Sequence, residues 1–145
     1  MDERMHELLI ELRTEETRHS GRSLFRHLKN VHDLLRDWDN DDEVCHAGLF
    51  HSIYGTSTFK HRSLFDRERL IRLIGNEAER LVFFFSTAHR PFFDDVEDEK
   101  TRKKLLEIEA ANLFEQGGNV STLRKLGRMK GLSNGARAAL NCGVI

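Results

Sequence analysis

Apolar residues return along this chain every three or four positions, and that spacing constrains its fold more than any other feature. Met5, Leu8, Leu9 and Leu12 make one stripe; Leu24, Val31, Leu34, Leu35 and Trp38 make a second, and His27 falls on the same face as that second stripe. A repeat near 3.6 residues sets such positions along one side of an α-helix, whereas no stretch shows the convincing period-two alternation of a half-buried strand. The expected fold is therefore all-α, a single compact helical domain over residues 1–145 with about seven helices.

Local signals place the boundaries. A third helix is expected to start near Asn40 or Asp41, with acidic residues in its first turn, and to run to about Ile53. The stretch YGTSTFKHRS breaks the periodicity and reads as a loop. Asp66 is expected to cap a short helix over RERLIRLI, which Gly75 ends, and Asn76 with Glu79 resembles a capping box for the next helix, whose exit Pro91 closes. A long amphipathic helix is expected from about Asp95 to Gln116, stopped by Gly117 and Gly118, with short helices near Ser121 and Ser133 beyond it.

Composition narrows the class. A 145-residue chain with 39% hydrophobic and 32% charged residues and one proline is long enough for one core and has the balance of a helix-rich globular protein. No apolar run approaches the roughly 20 residues that span a bilayer, and MDERMHELL is too acidic for a secretion signal, so a cytoplasmic location is expected. Cys45 and Cys142 lack metal-type spacing and are expected to stay reduced. A net charge of −1 gives no reason to expect nucleic acid or a membrane as partner. After Glu115 come Arg124, Lys125, Arg128, Lys130 and Arg137 with no acidic side chain, leaving 18 basic against 24 acidic residues before them. That basic C-terminal extension, residues 117–145, is either a solvated face or one wall of a site for a phosphorylated or carboxylated small molecule. A homodimer is left open.

Eight histidines are the chain's main chemical resource. His6, His61 and His89 sit in polar surroundings and read as surface residues. His32 with Asp33 spells a literal His-Asp pair, but it falls on the polar flank of its helix among Phe25, Lys29 and Arg36. His27 and His51 lie on apolar stripes; Ala47, Gly48 and Val44 precede His51 at helical spacing, small enough for another helix to approach closely. A lone core histidine is usually just hydrogen-bonded in place. Two on consecutive helices of a hairpin make a shared site more plausible.

Three stretches then resemble the HD-domain superfamily, and within it the hydrolase domain of bacterial guanosine tetraphosphate hydrolase and synthetase proteins. HSGRSLFRH at 19–27 is similar to the segment leading into that family's first metal-binding histidine, which maps onto His27; CHAGLFHSIYGT at 45–56 is similar to its apolar helix ending in His-Asp, with His51 as the histidine; IGNEAERLVFFFST at 74–87 is similar to its Gly-x-Glu-x-x-x-Leu-Val helix. IEAANLFEQ at 108–116 falls where the family places a late metal-binding aspartate, so the resemblance covers about residues 19–116. The chain is also similar to an uncharacterised group of small HD-like proteins with a His-Ser-x-Tyr-Gly-Thr signature.

The resemblance implies a divalent metal that activates water, yet the carboxylates are replaced. Ser52 stands for the aspartate of His-Asp, Ala111 or Asn112 for the late one, and the family's catalytic Glu-Asp falls near Gly55 and Thr56. Hard ions want oxygen anions, which argues against guanosine tetraphosphate hydrolysis. Two expectations follow. In one, a pocket formed by His19, Arg22, His27, His51, Ser52, Tyr54, Thr56 and Asn112 binds a small polar or anionic molecule, with Arg22 and the basic tail as its positive lining. In the other, His27 and His51, completed by Glu109 or by His46 or His19, hold iron or zinc for an oxygenase or hydrolase reaction on a small molecule. A purely structural role for the two histidines is the third possibility.

Overall fold

A computed structural model describes residues 1–19, 21–55 and 67–143. Among them are eight α-helices and one short hairpin: α1 (Glu3–Glu11), β1 (Arg18–His19), β2 (Arg22–Ser23), α2 (Leu24–Asp37), α3 (Asp42–Leu49), α4 (Arg67–Ile74), α5 (Asn76–Thr87), α6 (Glu99–Gln116), α7 (Val120–Gly127) and α8 (Asn134–Gly143). The fold is mainly helical, as the periodicity requires, with one helix more than expected.

Helix starts follow cap chemistry. Asp2, Ser23, Asp98 and Asn119 each accept a backbone N–H from the first turn, of Met5, Arg26, Thr101 and Thr122 respectively. This moves the start of α6 from about Asp95 to Glu99, because Asp98 is the residue that caps it. Ser133 accepts from Ala136 N at 3.1 Å, as its place before α8 suggests. Gly75, not Asn76, precedes α5 as the cap, with φ +89°, a conformation open to glycine at little cost. The expected cap at Asp66 and the loop position Thr56 lie outside the described residues.

Among the described residues, the hairpin departs from the all-helical expectation. Arg18 pairs with Ser23 and His19 with Arg22 in an antiparallel register, and Gly21 between them takes φ +80°. Two residues on each side were too few to show an alternating pattern. The hairpin carries His19 and Arg22 to the N-terminus of α2.

Helices α2 and α3 pack as a hairpin whose closeness depends on Gly48. A methyl group there would stand 2.4 Å from Leu35 Cδ1 and 3.3 Å from Val31 Cγ1. Helix α6 is central: α2, α3, α5, α7 and α8 all contact it, and every residue from Leu105 to Asn112 is buried. The expectation of an amphipathic helix fails here, because a helix enclosed by five others has no solvent face over that stretch. The core is one cluster running from Met5 on α1 to Leu140 on α8.

The C-terminal segment belongs to this core. Glu107, 3% exposed, accepts from Ser133 N at 3.1 Å and Asn40 Nδ2 at 3.0 Å and also bonds the Ser133 hydroxyl. A methyl group at Gly135 would stand 2.7 Å from the Cα of Trp38. Backbone cannot give way as a side-chain tip can, so Gly135→Ala is expected to cost about 1–3 kcal/mol despite alanine's better helix propensity. Urea unfolding followed by circular dichroism measures it; a neutral or stabilising result would mean that α8 is only loosely seated on the α2–α3 turn.

Candidate functional site

The C-terminal half of α6 supplies the buried polar groups. Glu109, Asn112 and Gln116 recur at intervals of three and four residues and so share one side of the helix, with Glu115 beside them. That side faces α2 and the β-hairpin. Glu109 accepts from both the Arg90 guanidinium, at 2.5 and 2.9 Å, and from Asn112 Nδ2 at 2.9 Å. Arg90 also lies 4.6 Å from the centre of the Phe85 ring. Donation to Glu109 turns the other end of the Asn112 amide, Oδ1, toward His27 Nε2 at 2.8 Å and Gln116 Nε2 at 3.2 Å.

His27 is completely buried, and both of its ring nitrogens meet oxygen acceptors. Nε2 faces Asn112 Oδ1, and Nδ1 makes a short contact with Glu115 Oε1. A carboxylate and an amide oxygen only accept, so the pattern asks for a proton on each nitrogen. Glu115 also takes Arg22, bidentate, and Asn30 Nδ2 at 2.9 Å. Burial alone would raise its carboxyl; the bonds from Arg22, Asn30 and His27 outweigh that and hold it below the ordinary carboxylate value.

His51 sits in a different chemical state. Helix α3 ends at Leu49 rather than at Ile53, and His51, in the turn beyond, donates Nδ1–H back to Gly48 O at 2.8 Å. It thereby satisfies one of the carbonyls that a helix end leaves open. With Nδ1 donating, Nε2 carries the lone pair. Burial, then the charge of His27, drive His51 well below the usual histidine value, so it is neutral near pH 7. Its ring meets that of His27 edge-on at 5.4 Å and that of Phe85 at 5.0 Å. His19, on β1, lies 4.4 Å from His27 by ring centres and accepts at Nε2 from Gln116 at 2.9 Å; desolvation and then His27 lower its pKa as well.

The structure thus brings together His19, Arg22, His27, His51, Glu109 and Asn112. It sends two of the other expected pocket residues elsewhere. Ser52 is buried with its hydroxyl unpartnered, and it borders an apolar cavity of about 10 Å³ with Leu9, Leu24, Leu28 and Phe50 rather than a histidine. Tyr54 donates its hydroxyl to Glu79 Oε2 at 2.8 Å, and Arg67 binds the same carboxylate at 2.7 and 3.1 Å. Burial first, then Glu79, push the Tyr54 phenol upward. One buried carboxylate therefore pins the residues on both sides of segment 56–66, which includes Thr56.

Arg90, Glu115, Gln116 and Asn30 were not among the residues picked from sequence. Glu115 and Gln116 were in reach, since they lie in IEAANLFEQ one helical turn after Asn112. Arg90 was not, because no local pattern says that the turn after α5 folds back onto Glu109. His32 was placed on a polar flank, yet it is 5% exposed, because α3 covers that side of α2. Among the described residues no three His, Cys, Asp or Glu side chains converge on one point, and no helix is long and apolar enough to cross a membrane.

Fold and site define a helical domain built around a buried network of histidine, carboxylate and arginine. The chain belongs to the family described as a domain of unknown function, DUF6817, whose model matches residues 8–90, more than half of the sequence. The match includes the hairpin and α2 to α5 but not α6, which carries Glu109, Asn112 and Glu115. No curated protein and no solved structure matches the chain.

Proposed function

We propose that this domain is a divergent HD-like protein that binds a small polar or anionic molecule at the His19–Arg22–His27–His51 cluster, without a metal at His27. The observation that carries this is the double engagement of His27: with Glu115 on Nδ1 and Asn112 on Nε2, it has no lone pair to offer an ion. The His27–Asn112 bond joins two positions that the HD resemblance assigns to metal ligands. A proton does there what the ion does in the resembled enzymes. Arg22 is the accessible cation of the group, its side chain 37% exposed.

A thermal-shift series with inorganic phosphate, citrate, sugar phosphates and nucleotides tests this. At least one anion is expected to raise the melting temperature, and Arg22→Ala to remove most of that rise while Glu115 keeps Asn30 and His27 as partners. Stabilisation by neutral apolar compounds alone, with every anion inert, would overturn the proposal.

One observation favours a metal-dependent oxygenase or hydrolase instead. His51 donates Nδ1–H to a backbone carbonyl and keeps Nε2 as an acceptor, the outer arrangement typical of a metal-bound imidazole. For that reading Glu109 must leave Arg90. Iron or zinc co-purifying with untagged protein, and lost in His51→Gln, would replace the metal-free proposal with this one.

A further inference from the structure

We propose that His32 on α2 and His46 on α3 form a site for a divalent transition ion of the zinc, copper and nickel class, with the two imidazoles as protein ligands and water completing the coordination. This site is distinct from the His27–His51 cluster and faces the outer seam of the α2–α3 hairpin. The two positions oppose each other across the turn at residues 38–41. Their rings lie nearly parallel, 7° apart in plane, with centres 6.4 Å apart. Metal–imidazole bonds are about 2.0–2.1 Å long, so two rings sharing one ion stand about 5–6.5 Å apart by centres. The observed spacing is at the upper end of that range, which corresponds to nitrogens on opposite sides of the ion.

His32 is prepared as a ligand. Its side chain is 6% exposed, and Nδ1 is bonded to Asp33 Oδ1 at 3.0 Å. Nε2 is buried without a partner. A buried unsatisfied nitrogen is costly and uncommon, and a carboxylate behind one ring nitrogen is the arrangement that orients an imidazole and strengthens its donation to a metal through the other. The literal His-Asp pair, which looked idle on a polar flank, thus has a chemical use once α3 covers it. Desolvation lowers the pKa of both His32 and His46, which keeps both rings neutral and able to donate near pH 7.

The surroundings tolerate a cation. Asp42 is four residues before His46, on the same face of α3, and is held by Arg36 Nη1 at 2.8 Å; Asp33 is held by Lys29 at 2.9 Å. Both aspartates are more exposed than the histidines, so either can turn from its basic partner toward an ion. Two neutral imidazoles with weak carboxylate support suit borderline ions and not Mg²⁺ or Ca²⁺.

The test is calorimetric titration of tag-free protein with Zn²⁺ and Ni²⁺, together with electron paramagnetic resonance of the Cu²⁺-loaded protein. One ion per chain and nitrogen couplings from two imidazoles are expected. His46→Ala and, separately, His32→Gln should each weaken binding at least about tenfold, while His51→Gln leaves it unchanged. Circular dichroism of each variant shows that it is folded, and His46→Asn substitutes for His46→Ala should the latter melt early. Absence of Zn²⁺ and Ni²⁺ binding, or binding that survives both substitutions, overturns the proposal; so does loss of binding in His51→Gln with His46→Ala unaffected.

Discussion

Glu109→Ala is expected to cost about 3–5 kcal/mol. Glu109 is fully buried and holds Arg90 through two bonds and Asn112 through a third. Its removal strands a guanidinium that is only 21% exposed, and it frees the Asn112 amide whose orientation sets the bond to His27. An uncompensated charge in such a place costs more than the pair contributes. Glu109→Gln should lose less, because a glutamine oxygen still accepts from Asn112. Urea unfolding of the three proteins measures the order. A loss below about 1 kcal/mol for Glu109→Ala would place the pair in water in effect.

The second large effect is acid sensitivity above the range where carboxylates titrate. His51 has a folded-state pKa well below 6.5, owing first to burial and then to His27. In the unfolded chain its pKa returns to about 6.5. Below that pH the unfolded state takes up a proton that the folded state refuses, so protonation favours unfolding. The contribution is therefore absent above pH 6.5 as a pH dependence and grows as a loss of stability on acidification, with a slope approaching about 1.4 kcal/mol per pH unit. Glu115 acts lower: its depressed pKa stabilises the fold above the ordinary value of 4.5, and that gain is lost as pH falls through the folded value. Stability measured from pH 8 to pH 4 should bend downward near 6.5, and His51→Gln should reduce the bend, the remainder of which belongs to His19, His32 and His46 with their lowered pKa values, while leaving the deeper one. A wild-type profile that is level between pH 7 and 5 would show that His51 meets solvent more freely than its 3% exposure implies.

The residues that would respond in these experiments were legible from sequence to different degrees. His27 and His51 were found because each interrupts an apolar stripe, and a short hairpin loop forces consecutive helices together. Gly48 announced the same closeness by its size. Ser52 was assigned by its place next to His51, but the residue after a helix end can point anywhere the turn sends it, and here the turn sends it to the apolar side. His32 misled for a related reason. Its own helix gives it polar neighbours, and burial comes entirely from α3, which helical periodicity in α2 does not report.

By itself, the sequence determined the helical class and several helix limits, because these depend on interactions within a few positions along the chain. It also determined that His27 and His51 belong to the interior. Tertiary structure decided what those histidines are chemically. The imidazole of His27 is held by Glu115 and Asn112, 88 and 85 residues away, and that of His51 by a carbonyl three residues back. One ring faces an oxygen acceptor at each nitrogen, and the other donates at Nδ1 and keeps Nε2 as an acceptor. Protonation state depends on which acceptors and charges lie within a few ångströms, and that distance is set by how α6 packs against α2 and the turn after α3, which no local pattern in the chain encodes.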